Sequence, residues 1–262
     1  MQVTILGCGG SGGVPLADGT PGGHWGACDP GNPKNRRRRV SILLRQGSTA
    51  CLVDTSPDLR RQILDSGIDR LDAVFFTHAH SDHAHGLDDL RALVYRKGAP
   101  IDAYMDEKTR ATLTRSFGYA FASSHDPHSL YPPLLNDRLI GDGCRVGPFA
   151  VTAFAQGHGD DTTLGYRIGP VAYSTDVVSL DEAAFAALEG VSLWIVDCLR
   201  EKPHPTHSWL EQTLQWIARV RPHRAVLTHM NHQTDYAALL ARCPPGVEPG
   251  YDGMAIDVGD AE

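Results

Sequence analysis

The sequence lacks the features that would settle its class at a glance. No apolar run approaches the roughly 18 residues a membrane span needs. Its six cysteines, at 8, 28, 51, 144, 198 and 243, include no C-x-x-C pair. In a chain this long that excludes a disulfide framework and reads most of them as small buried apolar residues. The first residues, Met1 to Gly7, have neither the basic stretch nor the long apolar core of a secretion signal, so the expected location is cytoplasmic. Basic charge is in deficit: 24 Lys and Arg stand against 31 Asp and Glu, a formal charge of −7. That argues against a nucleic-acid platform, although a local basic patch remains open. Internal repeats and low-complexity linkers are absent too.

What is present is an ordinary globular composition, 42% hydrophobic and 21% charged over 262 residues, with 13 histidines. Short β-type runs alternate with amphipathic stretches. Strands are expected at Val3–Leu6, Ser41–Leu44, Ala50–Asp54, Asp72–Thr77, Phe149–Ala155, Thr163–Ile168, Val171–Ser174, Leu193–Asp197, Ala225–Thr228 and Met254–Val258. Helices are expected at Asp58–Ser66, His83–Lys97, Asp106–Ser116, Asp181–Leu188, Ser208–Val220 and Tyr236–Ala241. Antiparallel meanders followed by β-α units occur twice, which suggests two packed sheets with helices outside. The aromatic, proline-rich stretch 117–136, which includes His125 and His128, has no period and reads as a lid or substrate loop.

One decoy is set aside. Gly7-Cys-Gly-Gly-Ser-Gly12 satisfies G-x-G-x-x-G after a strand, but the residues that follow are too rich in glycine and proline to open the helix a dinucleotide fold needs.

The decisive segment is Thr77-His-Ala-His-Ser-Asp-His83. His78 and His80 are two apart, a spacing that at a strand end puts both side chains on one side. Asp82 and His83 follow as a second adjacent pair. Four coordinating groups clustered with no metal would be costly in repulsion and desolvation. One strand end cannot complete two coordination spheres, and further groups arrive after other β runs: His158, Asp176 and His229. Asp54 closes another run, either as a carboxylate behind the ligands or as a cap on the Ser-Pro turn after it.

With Asp54 before it and His158, Asp176 and His229 after it, the His78-x-His80-x-Asp82-His83 string resembles the metallo-β-lactamase superfamily. The resemblance implies a single-domain α/β protein over 1–262, a four-layer αββα sandwich. It also implies two divalent metal ions, zinc or manganese, one on His78, His80 and His158 and the other on Asp82, His83 and His229, with Asp176 bridging. Further segments are similar to PhnP-like phosphodiesterases, which hydrolyse phosphoribosyl cyclic phosphates: Gly7 to Pro15, the Arg36–Arg39 run leading to Ser41, Val196-Asp-Cys198, Leu227 to Gln233, and Gly250 to Met254. By that resemblance a metal-bridging hydroxide attacks a small cyclic phosphate or nucleotide-like diester. His207 stands at the general-acid position, with His204 a weaker candidate; its other reading is a residue of the helix N-cap region. Together with His207, Asp82 and Asp54 form the candidate catalytic set.

One departure stands out. PhnP-type enzymes carry a Cys-rich structural zinc site after the Val-Pro turn, completed by the histidine three residues past the last metal ligand. Here only His24, Cys28 and His232 are available, either as a reduced second metal site or as rim residues. The Arg36–Arg39 run is either a phosphate attractor or a solvated edge. Partners follow from the main reading: a small phosphodiester substrate and a homodimer, with no membrane and no nucleic acid. Rival readings are a tRNA-processing-type nuclease, a thioester or lactone hydrolase, and a non-catalytic ligand-binding sensor.

Overall fold

The computed structural model describes residues 1–124 and 126–259; His125 therefore lies outside the described residues. Two seven-stranded sheets face each other. The first takes β1 (Gln2–Gly7), β2 (Ser41–Gln46), β3 (Thr49–Val53), β4 (Ala73–Phe75), β5 (Ile101–Met105) and β6 (Leu135–Leu139). The second takes β7 (Gly143–Val146), β8 (Phe149–His158), β9 (Asp161–Ile168), β10 (Val171–Ser174), β11 (Leu193–Asp197), β12 (Arg224–Thr228) and β13 (Val247–Pro249). The final strand β14 (Ala255–Asp257) returns to pair with β1.

Each sheet is half antiparallel meander and half parallel β-α units. In the first, β14, β1, β2 and β3 pair antiparallel and β3 to β6 pair parallel. In the second, β7 to β10 pair antiparallel and β10 to β13 pair parallel. Helices α1 (Leu59–Ser66), α3 (Arg91–Lys97) and α4 (Glu107–Ser116) belong to the first half, with the short α2 (Ser81–Ala84) before α3. Helices α5 (Glu182–Leu188), α6 (Leu210–Val220) and α7 (Tyr236–Leu240) belong to the second. This is the αββα sandwich expected from the sequence.

The period-two pattern of β2 shows how the layers arise. Ile42 and Leu44 turn into the core shared with Tyr166, Tyr173 and Ile195 of the facing sheet. Leu43, between them, turns outward to Leu59, Val94 and Leu113 on the helices. Phe75 and Tyr166 meet across the sheets with ring centroids 5.4 Å apart.

Several expected elements differ. The stretch His83–Lys97 is no single helix: α2 ends at Ala84, a 3-10 turn covers Leu87–Leu90, and α3 begins at Arg91. The break is imposed at Gly86, whose amide donates to Thr55 O at 2.8 Å. A Cβ there would lie 2.0 Å from Ser56 O, so only glycine fits. The 117–136 stretch is pinned at both ends. Ala120, Phe121 and Leu134 are buried in the core of the first half, and Leu135 already begins β6. Between them Leu130 and Tyr131 stand exposed. Strand β8 runs on to His158, and α6 starts at Leu210 with Trp209 as its N-cap. No helix opens after the Gly7–Gly12 run; Gly9 bridges instead to Arg39 and Met230. No helix among the described residues is long and apolar enough to cross a membrane.

Asp252 fastens the exit of β1. It accepts from the Cys8 amide at 3.2 Å and the Arg38 amide at 2.8 Å. Burial pushes its carboxyl up to about 7, against the opposing pull of Arg38. An acid raised on folding holds its proton in the folded chain when the unfolded chain has lost it, so stability declines as pH rises from the ordinary carboxyl range through 7. Asp252→Asn, which cannot ionise but gives up one of the two amide acceptors, is therefore expected to gain on the parent in melting temperature between pH 4 and pH 8; a constant offset across that range in thermal melts would refute this.

Candidate metal centre

The loops at one end of both sheets bring the histidines and aspartates together. Three of these residues sit just past strand ends with left-handed backbone: Asp54 at φ 62°, Asp176 at 53° and His229 at 58°. For non-glycine residues that conformation costs roughly 1–2 kcal/mol each. The strain is tolerated because buried hydrogen bonds and strand pairing fix the flanking backbone.

One group of donor atoms, from His78, His80, His158 and Asp176, lies within 4.8 Å of one another; a second, from Asp82, His83 and His229, does the same. The two oxygens of Asp176 divide between them. Oδ1 is 3.9 Å from both His78 Nε2 and His158 Nε2. Oδ2 is 2.9 Å from His83 Nε2 and 3.2 Å from His229 Nε2. Asp82 Oδ2 is 3.4 Å from His83 Nε2 and 3.5 Å from His229 Nε2. His80 is the exposed member, its ring 4.4 Å from that of His78.

Three of the imidazoles are oriented through Nδ1. His83 Nδ1–H donates to Asp54 Oδ2 at 2.7 Å, and His158 Nδ1–H donates to Thr206 O at 2.8 Å. His78 Nδ1–H donates to the Thr77 hydroxyl at 3.0 Å, which donates in turn to Asp54 Oδ2 at 2.9 Å. This leaves Nε2 of each ring facing the centre. The buried Nε2 atoms of His78, His83 and His229 have no hydrogen-bond partner. Buried nitrogens that face carboxylates without a hydrogen bond are a donor set that fits divalent cations.

The electrostatics agree. Burial alone would raise the Asp176 carboxyl, but His229 and His83 hold it well below the usual range. Burial likewise opposes charge on His229, yet Asp176 and Asp82 lift it to about 9. His83 is pushed up in the same way by Asp176, Asp82 and Asp54. The cluster of acids requires positive charge, from protons or from ions that displace them.

Asp54 is fully buried and reaches the centre only through His83 and Thr77. Its hydrogen bonds run to the Thr77 amide and hydroxyl and to His83 Nδ1. His207 stands with Asp176 and His229 in a third such group of donor atoms. Its ring stacks on His229 at 4.7 Å, its Nε2 is 3.8 Å from Asp176 Oδ1, and its Nδ1–H donates to Asp197 Oδ2 at 3.0 Å. His207 also stands just before Trp209, the N-cap of α6, and so lies in the N-cap region of that helix. Asp197 was not among the expected site residues; the signal was an acid closing the apolar strand β11, as Asp54 and Asp176 close theirs. His204 stands farther off, its ring 5.2 Å from that of His207.

Beside His207 and His229 lies a cavity of about 310 Å³, walled by Gly10, Gly13, Leu16, Leu199, His204 and Asn231, among others. Among the described residues its walls include no phenylalanine, tyrosine or tryptophan.

Of His24, Cys28 and His232, the two histidine rings lie 5.2 Å apart. No such group of three converges there among the described residues. The exposed His24 pairs with Asp18 at 2.8 Å. The Cys28 thiol lies against the carbonyls of His232 and Thr234 at 3.4 Å each. The arginine run is engaged within the chain: Arg36 stacks on Trp25, Arg37 is buried, Arg38 pairs with Asp65, and Arg39 pairs with Asp58 at 3.0 Å.

A family model described as a beta-lactamase superfamily domain matches residues 49–230. Among solved structures, a diphosphatase from the PhnP family superposes with a TM-score of 0.86 at 30% identity, covering 98% of each chain. An octanoyltransferase of Porphyromonas gingivalis (strain ATCC BAA-308 / W83) is 32% identical over 259 residues, 97% of this chain and 51% of that protein. A ribonuclease Z of Bradyrhizobium sp. (strain ORS 278) is 28% identical over 139 residues, 52% of this chain and 45% of that protein. The chain thus spans about half the length of the curated relatives it matches.

Removing the Asp54 side chain leaves the Thr77 amide and hydroxyl without their acceptor in a dry interior, and frees the ring of His83. Asp54→Ala is expected to lose about 2–4 kcal/mol in denaturant unfolding. A loss below about 0.5 kcal/mol would contradict the orienting role.

Proposed function

This chain belongs to the metallo-β-lactamase superfamily, in its PhnP-like branch, and from that premise we propose that it is a dinuclear metal-dependent phosphodiesterase acting on a small cyclic phosphate or nucleotide-like diester. The observation that carries the reading is the division of Asp176, one carboxylate oxygen turned to each donor group. His78, His80 and His158 would hold one ion, Asp82, His83 and His229 the other, and Asp176 both. Bound there, zinc or manganese would supply Lewis acidity toward a phosphoryl oxygen and lower the pKa of water to near neutrality.

The remaining chemistry belongs to side chains. With Nδ1–H committed to Asp197, the His207 ring is fixed in place and, when protonated, offers Nε2–H to the leaving oxygen. Asp197, wholly buried, stabilises the charge on that ring before transfer and fixes its tautomer afterwards. The cavity beside His207 receives the departing alcohol. Its size and lack of aromatic walls favour a small polar group over a base that needs a stacking platform. The engaged arginines and the net charge of −7 speak against a grip on polynucleotide. Six unpaired cysteines support a cytoplasmic setting.

The test is metal analysis followed by a substrate panel: cyclic phosphates, bis(p-nitrophenyl) phosphate, precursor tRNA, a thioester and a lactone. About two ions per chain and preference for the small diesters are expected. Preference for tRNA would move the reading to a nuclease, and turnover of only the thioester or lactone to another hydrolase. Two bound ions with no turnover would make it a sensor. In the same assay His207→Ala is expected to lower kcat by about 10²–10⁴ with metal content unchanged. Loss of an ion would make His207 a ligand. Asp197→Asn is expected to lower kcat at least about tenfold with little change in KM; an unchanged kcat would remove Asp197 from the mechanism.

A further inference from the structure

The turn that carries His229 needs an anchor, and among the described residues no group of three donor atoms converges beside it at His24, Cys28 and His232. What does stand there is Arg37, only 2% exposed, with no carboxylate within 4 Å among the described residues. Burying an unpaired guanidinium costs several kcal/mol. Its partners are all neutral: Nη1 donates to Asn231 O at 3.1 Å and lies 3.8 Å from Cys28 Sγ, and Nη2 donates to Asn35 Oδ1 at 3.3 Å. Its backbone pairs with Val14 in both directions, at 2.8 and 2.9 Å. The loop leading to Val14 is joined in turn to the same turn: Met230 N donates to Cys8 O at 2.9 Å, and Gly10 N to Met230 O at 3.3 Å. The loop 14–28 closes the ring, with Ala27 N on His232 O at 2.9 Å and the Cys28 thiol on the same carbonyl.

We infer that Arg37 is a positioning residue: its buried guanidinium, and not a structural ion, fixes the 229–232 turn to the 14–28 loop and so sets where His229 points. The planar fork of arginine suits the task, because it reaches Asn231, Cys28 and Asn35 from one rigid group, which a lysine ammonium on a flexible stem does not. Burial pushes the Cys28 thiol up, so it remains a neutral partner. The clamp goes beyond the proposed hydrolysis and leans on it only in treating His229 as a ligand.

The experiment uses the intact chain. Metal content is measured for the parent, Cys28→Ala and His24→Ala; equal values are expected, and loss of one ion per chain in either variant would overturn the inference in favour of a structural metal. Arg37→Lys and Arg37→Met are then compared with the parent well below their melting temperatures. Amides of 14–16 and 229–234 are expected to exchange at least about tenfold faster and bound ions to pass sooner to a chelator, while β4 and β5 keep the parent's protection. Parent-like exchange and ion retention in Arg37→Lys would overturn it. The exchange arm reads the clamp whether or not any ester is turned over, so failure of the hydrolase reading is seen separately. Should Arg37→Met not fold, the lysine variant and the two metal-content variants still decide.

Discussion

A single carboxylate, Asp176, lies between two groups of imidazoles in a region almost closed to water, and the arrangement around it follows from that charge. A buried acid must be balanced. Here the balance comes from His83 and His229 on one oxygen, with His78 and His158 farther from the other. The rings of His78, His83 and His158 cannot drift, because Thr77, Asp54 and the Thr206 carbonyl hold their far nitrogens. The left-handed backbone at Asp54, Asp176 and His229 marks where the chain bends sharply out of the sheet to deliver these groups.

The architecture serves that delivery. Parallel pairing in one half of each sheet aligns neighbouring strand ends, so Asp54 follows β3 beside the His78 loop after β4. Asp176, Asp197 and His229 likewise lie at the ends of β10, β11 and β12. The meander halves seal the outer part of each sheet and contribute the paired hairpin β8–β9, at whose tip His158 sits. Loops supply the chemistry, and the register of the strands sets their spacing.

Much of this was legible in the residues. The alternation of short β runs with amphipathic helices indicated a mixed α and β chain, and the dense 78–83 string, with the acids and histidines after other β runs, pointed through its resemblance to a known superfamily to the sandwich and to the convergence of seven side chains. Less legible were features decided by contacts distant in sequence. The break after His85 depends on Thr55 and Ser56 pressing on Gly86, which no helical period announces. The edge strands β7 and β13 are short and only partly buried, so their pattern is weak. The pairing of Asp197 with His207 joins residues on either side of a loop. Cys28 was read through its residue type, whereas its neighbour Arg37 decides its surroundings.

Thr77 leaves one more mark on the molecule. Its carbonyl accepts the Leu164 amide at 2.9 Å, a bond from the first half of the chain to the second, while its hydroxyl lies in the network behind the centre. The first half supplies Asp54, His78, His80, Asp82 and His83; the second supplies His158, Asp176, Asp197, His207 and His229. Neither half owns a finished pocket. Any cation held there would act as a rivet through the seam, and prising the sheets apart would cost its release as well as their shared apolar contacts.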